Sequence, residues 1–260
     1  MAILAYHSIS PRFIWGITWT TPRQFSSQIR RALDLGFTFH SLDERLKTND
    51  SHAKRLYITF DDGFENIYQY AFPVLNKYKL PATLFVVAGY SGQYNTWDVN
   101  WGNQRLCHLD WAQLQELAAA GWTIGSHGMS HSSLPQLSDG KLRRELYSSK
   151  ALIEHHIQRP CQWLSLPFGN GAQRVLDVAH EAGYRGIVGM SRISSHASLA
   201  CHARTGVYVL DNSFTFEQKC IAKYKKIYHL IQGMLDICSN GTVWVKQGIG
   251  SQPRKRSSLG

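Results

Sequence analysis

Two adjacent carboxylates end the segment Leu56-Tyr-Ile-Thr-Phe-Asp-Asp-Gly63, an apolar run of strand character that stops at Asp61, Asp62 and a glycine. The C-terminal end of a strand is where α/β barrels keep their catalytic groups. The same residues also suit an Asp-Gly turn with a helix cap. A second strand-like stretch leads into Gly125-Ser-His-Gly-Met-Ser-His131, with His127 and His131 four residues apart. If the segment turns helically, that spacing points two imidazoles at one metal ion, and imidazole is a preferred zinc ligand. Two histidines with one carboxylate leave a position open for water, which a hydrolytic metal requires. A third strand end, Leu164-Ser-Leu-Pro-Phe-Gly169, carries a proline and a glycine that can set a rigid turn and aim a backbone N–H at an oxyanion. Alone, each segment is a turn, an incidental histidine pair or a loop. It is the combination that points to a hydrolytic metal site.

The elements that must position these groups follow from periodicity. Short apolar, β-branched or aromatic runs alternate with amphipathic stretches of helical period, the pattern of βα units around a parallel sheet. Predicted strands are Ile3–His7, Phe37–Phe39, Leu56–Phe60, Thr83–Val87, Thr123–Ser126, Trp163–Leu166, Gly186–Val188 and Gly206–Leu210. The fold class is therefore α/β, a distorted (β/α) barrel of seven or eight strands. Thr21-Pro22 reads as an N-cap with proline at the first helical position, and Gly36 follows that helix. Ser138 to Ile157 sets Leu142, Leu146, Ile153 and Ile157 on one face, and an apolar stripe from Phe216 to Cys238 predicts a helix packed on the barrel. The expected organisation is one catalytic domain over residues 1–250 and a basic disordered tail over 251–260.

Composition narrows the function classes. No run approaches the roughly 18 consecutive apolar residues of a membrane span. Five widely spaced cysteines, with no CxxC pair, suggest neither a disulfide framework nor a thiolate zinc site. The N-terminus enters strand-like sequence without a basic, apolar leader, so the expectation is a cytoplasmic protein, or a secreted or periplasmic one if a signal peptide has been trimmed. Of the net charge of +10, residues 216–260 hold eight Lys/Arg against two acids. That basic region would attract a phosphate-bearing sugar or an anionic membrane surface; no specific nucleic-acid partner is expected. Phe168-Gly-Asn-Gly171 begins like a dinucleotide loop, but Arg174 stands where the third glycine belongs. Phosphate-loop, GxSxG and HExxH motifs are absent from the sequence.

Taken in order, Thr59-Phe-Asp-Asp-Gly63, the His127/His131 pair and Leu164–Gly169 resemble the first three motifs of the polysaccharide deacetylases, carbohydrate esterase family 4 with the NodB-like domain. Leu109-Asp-Trp111 with Leu114 and Gly121 is similar to the helix those proteins place before the histidine strand. The family's last motif, an Ile-Leu-x-His, is matched at the start of the chain by Ile3-Leu-Ala-Tyr-His7, resembling a circularly permuted subgroup that opens on Tyr-His-x-Ile. In a closed barrel the first and last strands are neighbours, so such a permutation leaves the site nearly unchanged.

The resemblance implies a role for each residue. Asp62, His127 and His131 would bind a divalent metal, Zn²⁺ or another transition ion, while Asp61 would be the general base. The backbone N–H of Phe168 would stabilise the oxyanion. His7 would protonate the departing amine, a role suited to a group titrating near neutrality. Ser165 departs from the family, where many relatives have an arginine that pairs with the catalytic aspartate; Arg204 is the candidate substitute. The implied reaction removes an N-acetyl group from an amino sugar that is nucleotide-linked, lipid-linked or polymeric. The alternatives are a deformylase or allantoinase-like amide hydrolase, or a catalytically silent sugar-binding domain using Tyr90, Tyr94, Trp97 and Trp101 of the loop Ala88–His108 to stack on sugars.

Overall fold

Strand β1 (Ala2–Tyr6) is buried at every position, as a strand covered on both faces must be. The computed structural model describes residues 1–47, 54–97, 105–169, 171–190 and 195–221, all within one compact unit. After β1 come β2 (Ser8–Ile9), β3 (Trp19–Thr20), α1 (Pro22–Asp34), β4 (Thr38–Phe39), α2 (Leu42–Lys47), β5 (Arg55–Phe60), α3 (Phe72–Lys77) and β6 (Thr83–Val86). They are followed by α4 (Trp111–Ala119), β7 (Thr123–Ser126), α5 (Asp139–Ile157), β8 (Trp163–Ser165), α6 (Gln173–Glu181), β9 (Gly186–Gly189), β10 (Ala200–Ala203), β11 (Thr205–Gly206) and α7 (Ser213–Cys220). The capping box at Thr21 and Gln24, with Pro22 in the first turn, starts α1 where the sequence placed it.

The main sheet runs β10-β9-β8-β7-β6-β5-β1-β11, with β4 added beside β5, and every pair in it is parallel. Closure comes from the short stretch Ala200–Gly206. Its first half pairs with β9 and its second with β1, so one segment brings the two edges together. The sheet is thus nearly closed into a barrel with helices outside. The expected last strand, Gly206–Leu210, is replaced by β10 and β11. Partly exposed Ala-Cys-His-Ala in β10 carries no apolar run to announce it.

Alternation decides what faces the lumen. Leu4, Tyr6, Leu56, Ile58 and Phe60 join the outer core under the helices. Ile3, Tyr57, Phe85, Trp163 and Val188 fill the barrel interior, which Leu42 of α2 plugs from below. Gly186 is required by this filling, because a Cβ there would lie 2.2 Å from the Trp163 ring. Two residues beyond Tyr57, Thr59 faces the lumen, and two beyond that Asp61 stands at its mouth. Among the described residues no helix is long and apolar enough to cross a membrane. Four cysteines, Cys107, Cys161, Cys201 and Cys220, are free thiols. The predicted stripe beyond Ile221, the remainder of the expected 1–250 domain and the tail 251–260 lie outside the described residues.

Candidate active site

Because the sheet is parallel, every strand delivers its C-terminal end to the same face, and the sequence-identified residues gather there. His7 follows β1 and Asp61 follows β5; the register Tyr6↔Phe60 sets them side by side, with His7 Nε2 3.8 Å from Asp61 Oδ2. His127 follows β7, Phe168 follows β8 by three residues, and Arg204 sits between β10 and β11 at the closing seam.

Asp62, His127 and His131 offer three ligand atoms that lie within 4.8 Å of one another. Nε2 of each histidine is 3.5 Å from Asp62 Oδ1. The convergence is not helical, contrary to the spacing argument: Gly128 is irregular, Met129 and Ser130 form a bend, and His131 itself has φ +56°. Asp62 (φ +68°) and Phe168 (φ +60°) share this left-handed conformation. Three of the five non-glycine residues with positive φ among the described residues are therefore at the site. Such conformers cost about 1–3 kcal/mol each and persist where surrounding structure imposes them, often at functional sites.

The donor chemistry fits a metal. His127 Nδ1 lies 2.8 Å from the Ser165 carbonyl oxygen, which fixes the proton on Nδ1 and leaves the Nε2 lone pair facing Asp62. Burial lowers the pKa of His127, the Asp61 carboxylate only partly opposing it, so the ring is held in the neutral form that ligates. On the other side of the site, His108 Nδ1 donates to the Asp62 carbonyl oxygen at 2.8 Å and its Nε2 accepts from the Trp97 indole at 3.3 Å. Burial lowers the His108 pKa to about 4, so it too is neutral.

Asp61 is only 2% exposed and sits on the fully buried guanidinium of Arg204. Arg204 Nη1 donates to Oδ1 at 2.8 Å and Nη2 to Oδ2 at 2.6 Å, a bidentate fork. Its remaining bonds go to the Thr59 hydroxyl at 3.0 Å and the Ser165 hydroxyl at 2.8 Å. The position that departs from the family pattern thus accepts a bond from the arginine that contacts the aspartate. Burial would raise the Asp61 pKa, but the charge and hydrogen bonds of Arg204 outweigh it and hold the carboxyl well below the usual range. His7 keeps 21% of its side chain exposed, yet burial of the ring brings its pKa down to about 4, with Asp61 only partly offsetting this.

Trp97, partly buried, packs on the site itself. Its ring lies on His131 at 3.8 Å between centroids and near Phe64 at 6.3 Å. Tyr94 is 60% exposed, and Trp101 lies outside the described residues. Thr59, His108 and the role of Trp97 against His131 escaped sequence reasoning; a buried strand threonine two residues before Asp61 was the one local signal.

Residues 48–187 match the polysaccharide deacetylase family. The chain belongs to that family. YxkH of Bacillus subtilis (strain 168) is 30% identical to this deacetylase-family chain over 190 residues, covering 71% of it and 62% of YxkH. The poly-beta-1,6-N-acetyl-D-glucosamine N-deacetylase of Staphylococcus aureus (strain MSSA476) is 28% identical over 174 residues, 62% of this chain and 58% of that one. The chain spans about three fifths of the length of these curated relatives. The deacetylase PplD of Streptococcus pyogenes, solved in complex with acetate, shares the fold with a TM-score of 0.72 at 23% identity, over 85% of this chain and 97% of PplD. IcaB from Ammonifex degensii does so with a TM-score of 0.67 at 22% identity, over 84% and 94%.

Proposed function

We propose that this chain is a metal-dependent de-N-acetylase acting on a saccharide built from N-acetylated amino sugars. The observation that carries the reading is the convergence of Asp62, His127 and His131 beside a buried carboxylate clamped by Arg204. The name of the Staphylococcus aureus relative supports an N-acetylglucosamine polymer as the substrate class.

Asp62, His127 and His131 would hold Zn²⁺ or another divalent transition ion. Such an ion, when bound, lowers the pKa of water from about 16 to about 7 and polarises the amide carbonyl. Asp61, fixed in direction by Arg204, takes a proton from the attacking water as its oxygen adds to the carbonyl carbon. The Phe168 N–H, in the left-handed turn Pro167-Phe-Gly169, stabilises the oxyanion. His7 starts neutral, so it can receive the proton from Asp61, 3.8 Å away, and deliver it to nitrogen as the C–N bond breaks. The products are acetate and a free amine. A carboxylate held ionised by an arginine is a weak base in isolation; handing its proton to His7 keeps it ionised after each cycle.

The test is acetate release from β-linked N-acetylglucosamine oligosaccharides, from nucleotide- and lipid-linked amino sugars, and from N-formylated analogues, with metal chelated and restored. Metal-dependent acetate release supports the reading. Release of formate alone points to a different amide hydrolase, and no turnover on any substrate with metal bound points to a sugar-binding domain.

A further inference from the structure

The stretch between His127 and His131 has no helical hydrogen bonds to fix its shape, and the residue that reaches into it comes from a helix outside the barrel. Glu145 of α5 accepts through Oε2 from the Met129 N–H at 2.7 Å and the Ser130 N–H at 3.0 Å. Through Oε1 it accepts from the Ser130 hydroxyl at 2.5 Å. Two successive backbone N–H groups converging on one carboxylate oxygen form an anion-binding nest, and bonds to a charged acceptor are about twice as strong as neutral ones. One turn further along α5, on the same face, buried Ser149 accepts from the Ser126 hydroxyl at 2.9 Å. Ser126 in turn accepts from the Gly128 N–H at 3.1 Å. Gly128 fits the arrangement twice over: its φ is +83°, and a Cβ would stand 3.2 Å from Glu145 Oε2. Every residue from Gly128 to Ser130 is thus tied by its N–H to α5, directly or through Ser126.

We infer that Glu145 is a positioning residue for the metal site, setting the separation and direction of the His127 and His131 ligand nitrogens by fixing the three residues between them. The inference rests on the metal reading proposed above. Glu145 touches neither substrate nor metal in this role; it acts through the loop.

The experiment is a Co²⁺ titration of the whole protein after chelator stripping, by competition with a chromophoric chelator and by visible absorption. The parent, His127→Ala, Glu145→Ala and Glu145→Gln proteins are compared, each first shown to melt cooperatively without metal. Glu145→Ala should bind Co²⁺ about 10-fold or more weakly, the usual effect of losing a group that supports a ligand, with an altered absorption spectrum. Glu145→Gln should stay within about threefold of the parent and keep its spectrum, because the amide can offer its oxygen to the two N–H groups and its nitrogen to Ser130 Oγ. Parent-like affinity and spectrum in Glu145→Ala overturn the inference. So does a Glu145→Gln protein as impaired as Glu145→Ala, since the hydrogen bonds would then not be what matters. If the parent binds no Co²⁺, or His127→Ala binds it equally well, it is the metal reading that fails, and the inference with it.

Discussion

Arg204 and Asp61 are 143 residues apart in sequence and joined by two hydrogen bonds, Nη1 to Oδ1 at 2.8 Å and Nη2 to Oδ2 at 2.6 Å. Arg204→Ala should lower kcat by about 100-fold through loss of orientation while leaving metal binding intact. Breaking a buried pair on one side costs about 3–5 kcal/mol, which urea denaturation of the metal-free protein at pH 7 would read. The sign with pH follows from the depressed Asp61 pKa. A carboxylate whose folded pKa lies below its unfolded value stabilises the fold above the unfolded pKa, about 4, and loses that contribution as the pH falls further. The stability gap between parent and variant should therefore be widest near neutrality and shrink below pH about 4. Arg204→Lys keeps the charge without the fork and should fall between the two.

His7 should titrate far below an ordinary histidine. Burial sets its pKa at about 4, so in the metal-free protein its ring protons should shift in NMR near that pH, with the resonance assigned by its loss in His7→Gln. Because the folded pKa is lowered, protonating His7 opposes folding, and its contribution to stability should decline as the pH drops from about 6.5 toward 4. A midpoint near 6.5 would remove the neutral starting state that the proton hand-over requires.

Gly186→Ala should strain the barrel interior without touching the chemistry. The added methyl would meet the Trp163 ring at 2.2 Å, in a lumen already filled by Tyr57 and Phe85. Overpacking of this kind costs about 1–3 kcal/mol, and each kcal/mol lowers Tm by about 2–4 °C in a chain of this size. A melt unchanged from the parent would mean that the interior has room that this packing denies.

The barrel was legible because its strands are buried on both faces and read as short apolar runs. β1, β5, β7 and β8 fall within one residue of their expected limits. β10 was not, since its side chains are half-exposed and its place is fixed by closing a sheet whose other edge is β1. Asp61, Asp62, His127 and His131 were readable as a cluster from motif order, but the left-handed turns that bring them together were not, because nothing local in Met129-Ser130-His131 forbids a helix. His108 and Glu145 were invisible, and Arg204 was readable as a candidate partner for Asp61 but not as a bidentate fork. Their partners lie 46, 15 or 16, and 143 residues away, and no spacing rule reaches across a barrel.

Metal content and acetate release, measured together on the parent, His127→Ala and Asp61→Asn proteins with an N-acetylglucosamine oligosaccharide, test the assignment of the site most directly. The parent should retain about one divalent ion per chain and release acetate; His127→Ala should lose both; Asp61→Asn should keep the ion and lose turnover by about 100-fold or more. Acetate release by Asp61→Asn at the parent rate, or by a parent stripped of metal, would contradict it.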